Sequence, residues 1–257
     1  GGGPVGGRGA GGGAAPSRSV GGSGGRGESS QSGSTSSSGG GGAAGAGGGA
    51  SAPSCQDERE AALGPVDSVS DGAVTMLADT GGVVSLYVDA SAGGVQNAFA
   101  NPWVYVDLGA NARVDISDPG ADSSTSWDIA LKRAVVRSNS GDGGYAGSGG
   151  ARLVAKPFAE VTSADASGGF EPEAWFDDQC VLQEDAAGAV ATSFEGWYIY
   201  QSGPPPVLTP APGTWLVRSG DGSKVYKLAF IDYYATPEGG SGPVSARYRL
   251  QVAEVTP

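Results

Sequence analysis

Histidine is missing from all 257 residues of the chain. Its absence excludes Ser-His-Asp and Cys-His nucleophilic catalysis, imidazole acid–base work and histidine-ligated zinc. Methionine occurs once, at Met76, and cysteine only at Cys55 and Cys180. No apolar run reaches the roughly 18 residues a bilayer-spanning helix needs, and no polybasic run is present. Aromatic residues are absent from residues 1–54, which hold 23 of the 48 glycines among Ser and Ala. A segment of that composition buries too little apolar surface to offset its ordering entropy, so it reads as a disordered, flexible spacer. The folded domain is then expected over residues 55–257.

Charge divides the chain at the same place. Residues 1–54 carry +2 and residues 55–257 carry −14, within a total of −12. An acidic domain argues against nucleic acid or an anionic membrane surface as a partner. The two cysteines leave two outcomes open. They either pair, closing a loop of well over 100 residues worth about 4–5 kcal/mol by chain entropy, or stay as two thiols in a reducing cell. An even pair fits an exported protein, so Cys55–Cys180 is the expected disulfide.

What is present is mostly strand. Gln56 to Leu63 suits one or two helical turns before Gly64-Pro65. Ala73–Leu77 and Val83–Val88 flank Asp79-Thr80-Gly81-Gly82 as a hairpin. Trp103 to Leu108 alternates, with Val104, Val106 and Leu108 on one face and Trp103, Tyr105 and Asp107 on the other. Ser126-Trp127-Asp128-Ile129-Ala130-Leu131-Lys132-Arg133 alternates too, with Trp127, Ile129 and Leu131 sharing a face. It runs on to the permissive loop Asn139-Ser140-Gly141. Glu171 to Gln183 lacks a clear period and suits a helical turn. Phe194 to Tyr200 reads as a strand before Pro204-Pro205-Pro206, which cannot sit inside a central strand. Thr214–Val217 and Val225–Tyr234 form a hairpin about Ser219-Gly220-Asp221-Gly222, and Val244–Val252 makes the last strand. With turns this short, the expected fold is mainly β, a single domain of antiparallel sheets.

The chemistry these residues permit is limited. Glu171 and Glu173 could be a glycosidase pair only if a cleft brought them together; in an acidic domain they read as surface-loop carboxylates, and no enzyme is expected. Asp142-Gly143 and Asp221-Gly222 lack the ligand spacing of calcium loops and read as turns. Trp127 is expected in the core, with Asp128 and Asn139 bonding nearby backbone N–H groups.

Four stretches occur together in one order: Trp103-Val104-Tyr105-Val106-Asp107-Leu108, Ser126-Trp127-Asp128-Ile129-Ala130, Arg137-Ser138-Asn139-Ser140-Gly141, and Trp215 through Gly222 and Tyr226 to Tyr233-Tyr234. Over about residues 65–253 the chain resembles the HmuY family of bacterial haem-binding surface lipoproteins. The resemblance implies a mostly β domain, exported and tethered by an N-terminal lipid at the outer membrane or cell surface. It also implies an outer-membrane or cell-surface protein as partner, and haem or porphyrin as ligand. Family members hold haem iron between two axial side chains, histidines or methionines. This chain can supply neither pair. The surviving ligand types are Met76, a tyrosinate, with Tyr145 of the glycine-rich loop as the candidate, or an unoxidised cysteine. Against these stand Met76 as a core filler and Tyr145 as an ordinary loop aromatic. The alternative function is a cell-surface interaction module that kept the scaffold and binds no haem, marked by an exposed patch of Trp197, Tyr198 and Tyr200.

Overall fold

Period-two alternation at Trp103–Leu108 becomes a strand whose two faces enter two different cores. The computed structural model describes residues 55–256; the spacer expected over residues 1–54 lies outside them. Helix α1 (Gln56–Leu63) leads into the hairpin β1 (Val74–Thr80) and β2 (Val83–Asp89). Next come β3 (Val104–Asp107), β4 (Ala112–Val114), the short helix α2 (Asp118–Ala121), β5 (Ile129–Lys132) and β6 (Val135–Ser138). After β7 (Gly150–Val154) and the short helix α3 (Ser163–Ala166), the pair β8 (Tyr198–Gln201) and β9 (Val207–Pro210) precedes β10 (Thr214–Arg218), β11 (Val225–Asp232) and β12 (Arg247–Glu254).

Six strands form one sheet in the order β1-β2-β12-β11-β10-β7, and four form a second in the order β4-β3-β5-β6. Every pairing between these strands is antiparallel. The main core joins the two sheets, Leu86, Val88, Tyr248, Leu250, Leu228 and Val217 from the larger meeting Val104, Val106, Ile129, Leu131 and Val136 from the smaller. On the other face of β3 and β5, Trp103, Tyr105 and Ala130 pack with Trp127, Trp175, Ala121 and Leu63. Fully burying one such aliphatic side chain is worth about 1.5–3 kcal/mol, so both faces of the small sheet stabilise the fold. No helix among the described residues is long and apolar enough to cross a membrane.

The β1–β2 turn needs two positive φ values, and Gly81 and Gly82 supply them at 63° and 81°. The Asp79 carboxylate accepts the Gly82 N–H at 3.0 Å. Cys55 and Cys180 are joined, with Cα atoms 5.3 Å apart at a sequence separation of 125. The disulfide ties the start of α1 to the loop after Trp175.

Several expectations are corrected. The segment 171–183 contains no helix; it reverses through a tight turn in which the Cys180 N–H donates to the Asp177 carbonyl, closed by an antiparallel bridge between Phe176 and Leu182. The helical turn instead forms at Asp118–Ala121, where Pro119 pre-sets the backbone. The strand expected from Phe194 begins only at Tyr198, because Gly196 at φ 81° turns the chain and sends Phe194 and Trp197 into the core. The last strand begins at Arg247 rather than Val244, since Ala246 sits at φ 62° and breaks the extension. Trp127 does not share a face with Ile129 and Leu131. It packs with Ala130 on the opposite side, drawn there by an indole N–H bond to the Ala121 carbonyl at 3.0 Å.

Candidate functional site

Asp128 sits just before β5, where its backbone pairs on both sides: its N–H donates to Val106, and its carbonyl accepts from Asn139. That leaves its buried carboxylate between the end of β3 and the β10–β11 turn. Oδ2 accepts the Leu108 N–H at 2.7 Å and Oδ1 the Gly220 N–H at 2.8 Å. Asn139 does the matching work one strand over, its Nδ2 donating to the carbonyls of Trp127 (2.8 Å) and Ser124 (2.9 Å). Both residues bond backbone, but Asn139 does so as a donor to carbonyls rather than as the expected acceptor of N–H groups, and its Oδ1 has no partner among the described residues. The loop after Asn139 is glycine-rich for steric reasons. A Cβ at Gly141, itself at φ 47°, would lie 2.2 Å from the Glu173 carbonyl oxygen, and one at Gly144 would lie 2.2 Å from the Asn139 side-chain oxygen.

Burial pushes the Asp128 carboxyl up to about 6 from its ordinary 3.8, against the two N–H bonds that pull it down. The sign follows directly. Between pH 4 and 6 the folded chain holds a proton that the unfolded chain has lost, so stability falls as pH rises through that window, by about 2–3 kcal/mol from this group. Asp221 is held down to about 2 by hydroxyl and N–H donors from Ser219 and Ser223; its contribution is present above pH 4 and is lost only below that. Urea unfolding at pH 4 and pH 7 is expected to show the slope in wild type and to show it flattened in Asp128→Asn. An unchanged slope in the variant would remove Asp128 from the account.

Two buried charges were invisible to sequence reasoning. Glu173, taken as a surface acid, is 3% exposed. Its carboxylate accepts the N–H groups of Ser138 (2.8 Å) and Ser193 (2.7 Å), both their hydroxyls, and the Trp175 indole N–H at 3.1 Å. Arg137 is 1% exposed and stacks against Trp103, Trp127 and Tyr105 at 4.6, 5.1 and 5.5 Å. It donates to the Gly143 carbonyl and, at 2.8 Å, to the Tyr105 hydroxyl, which in turn reaches Asp118 at 3.0 Å. A charge between Val135-Val136 and Ser138 in a strand pattern was the available signal that the outer face of β6 is covered.

The candidate iron ligands are not brought together. Met76 is 54% exposed on β1, an edge strand, opposite Leu86. It is therefore no core filler: β1 is the edge strand of the larger sheet, and Met76 there stays open to solvent although Leu86 opposite it is buried. Tyr145 is half-exposed in the loop after Gly144, with the Arg59 guanidinium 4.0 Å above its ring. Burial, with Asp142 and Asp122 nearby, pushes its hydroxyl above the usual phenol range despite Arg59, which disfavours tyrosinate. Both cysteines are in the disulfide. The expected exposed patch also changes, since Trp197 is buried against Phe230, 4.6 Å between ring centroids, leaving Tyr200 and Ile199 exposed beside it. A haem held between two histidines or two methionines of this chain does not fit this donor set.

An open cavity of about 300 Å³ lies over Asp128, lined by Asp107, Gly109, Ser126, Asp221, Ser223 and Tyr226 among others. It is built by the end of β3, the approach to β5 and the β10–β11 hairpin, three of the four stretches that carried the family resemblance. Asp107 uses Oδ1 for the N–H groups of Gly109 and Ala110. Tyr226 is 4% exposed, and among the described residues its hydroxyl has no hydrogen-bond partner. Burial and the surrounding carboxylates raise its pKa, so it remains a donor.

These features define a two-sheet antiparallel β domain with a polar cavity at the start of its Trp-Asp strand. A model of the HmuY family, described as HmuY protein, matches residues 100–248. That is more than half of the chain, and the chain belongs to this family. Two solved structures are similar. One is a candidate lipoprotein of Bacteroides fragilis NCTC 9343, 18% identical with a TM-score of 0.44, covering 71% of this chain and 95% of its own. The other is a candidate HmuY-like heme-binding protein of Bacteroides vulgatus ATCC 8482, 15% identical with a TM-score of 0.44, covering 70% of this chain and 96% of its own. The comparison with curated proteins finds no match.

Proposed function

We propose that this chain is an exported HmuY-type binding protein, tethered at the bacterial surface through a lipid ahead of its Gly/Ser-rich spacer, that works without axial ligation of haem iron. Membership of the family supports binding as the activity and the cell surface as its setting. One observation carries the departure from haem: of the candidate ligands, Met76 is alone and exposed, Tyr145 lies under Arg59 with its hydroxyl pushed above the usual phenol range by burial, and the cysteines are joined in a disulfide. The folded domain is taken as residues 55–257 and residues 1–54 as a flexible spacer, which would let the domain meet a ligand or an outer-membrane partner away from the membrane.

Haemin titrated into the purified protein tests this. The expected result is no saturable Soret shift at micromolar haemin. A saturable shift abolished by Tyr145→Phe or Met76→Leu would overturn the reading and restore haem, held by that residue.

A further inference from the structure

The geometry points to a ligand class for the cavity over Asp128: we propose that it binds a small hydroxylated organic cation, an amino sugar in size and chemistry. The inference deepens the reading of the chain as a binding protein and rests on it. Charge comes first. Asp107, Asp128 and Asp221 line the cavity, and its one lysine, Lys224, is paired with Glu254 at 2.8 Å. An anionic ligand is excluded by that balance. Among the described residues no three carboxylates, histidines or cysteines converge as a metal site would require, so the cation is organic.

Hydrogen bonding gives the second half. Tyr226 is buried along its ring, and its hydroxyl, which has no protein partner among the described residues, opens onto the polar cavity. A hydroxyl held on a rigid, buried ring and free of protein partners is presented to whatever enters the open side of the cavity. Gly109 keeps that space clear, because a Cβ there would lie 2.6 Å from the Tyr226 hydroxyl oxygen. Asp107 accepts the Gly109 and Ala110 N–H groups through Oδ1, and among the described residues its Oδ2 has no hydrogen bond, an acceptor for an ammonium group. Hydroxyls of Ser126 and Ser223 line the same space. A volume of about 300 Å³ is at the small end for ligand sites and exceeds what a bare ammonium fills.

The test is titration of the full chain with glucosamine, followed by amide NMR shifts of Ala110, Gly220 and Gly222, with glucose as the uncharged control. Saturation at millimolar glucosamine is expected, with glucose about tenfold weaker. Tyr226→Phe should weaken glucosamine about fivefold, one neutral hydrogen bond to a ligand hydroxyl, while leaving thermal stability nearly unchanged because the hydroxyl has no protein partner to lose. Gly109→Ala should block the cavity. No saturation, equal affinity for glucose, or full affinity in a folded Tyr226→Phe protein would each overturn the proposal. Haemin binding is read separately in the Soret band, so failure here leaves that result untouched.

Discussion

Glu173→Ala is expected to lower the unfolding free energy by about 3–5 kcal/mol, measured by urea denaturation at neutral pH. The size follows from what is stranded rather than from the charge. The carboxylate accepts from the backbone of Ser138 and of Ser193, from both hydroxyls and from the Trp175 indole. The hydroxyls can turn elsewhere, but the two backbone N–H groups and the indole cannot. Each unpaired buried donor costs about 1–3 kcal/mol, and a water entering the vacated space recovers part of the sum. Glu173→Gln keeps one acceptor oxygen and sets an NH₂ against donors, so an intermediate loss of about 2 kcal/mol is expected. A loss under about 1 kcal/mol for the alanine variant would return Glu173 to the surface-acid role suggested by its neighbours in sequence.

Glu173 also shows where sequence reasoning stops. Its serine partners lie 35 and 20 residues away and only the Trp175 indole is local, so Glu-Pro-Glu-Ala-Trp by itself does not announce the burial. Trp103–Leu108 was legible because a strand's two faces are written locally, in every second residue. Trp127 was not, because the alternation assumed for its stretch breaks before Ile129, where α2 offers its indole a carbonyl. Met76 failed for another reason. Its row in the sheet is apolar, but exposure depends on β1 being an edge, a property of the whole sheet and not of β1. Asp128 and Asn139 both bond backbone, but not as expected: Asp128 takes N–H groups at Leu108 and Gly220, 20 and 92 residues off, and Asn139 donates to carbonyls instead of accepting from N–H groups. The cavity is assembled from three separated stretches, and no one of them looks like a site. Missing histidine was informative in the other direction: an absence is a property of the whole sequence and needs no fold to interpret.

Replacing both Cys55 and Cys180 with serine is expected to cost up to about 4–5 kcal/mol, the chain-entropy value for so long a loop. Native shape should nevertheless persist, because α1 is latched a second time. Arg59, 1% exposed, holds Asp122 through both guanidinium nitrogens at 2.6 and 3.0 Å, bonds the Asp142 carbonyl and covers Tyr145. The disulfide therefore acts mainly on the unfolded chain, and Arg59 on the docked helix. Arg59→Ala in the oxidised protein leaves Asp122 without its partner and bares the Tyr145 ring, but α1 stays tethered. The two changes share the same helix, so they should not add. In the serine background, Arg59→Ala is expected to release α1 altogether, seen as rapid amide exchange over Gln56–Leu63 that neither change produces alone. Rapid exchange of α1 in the serine protein with Arg59 intact would show instead that the disulfide is the only tie.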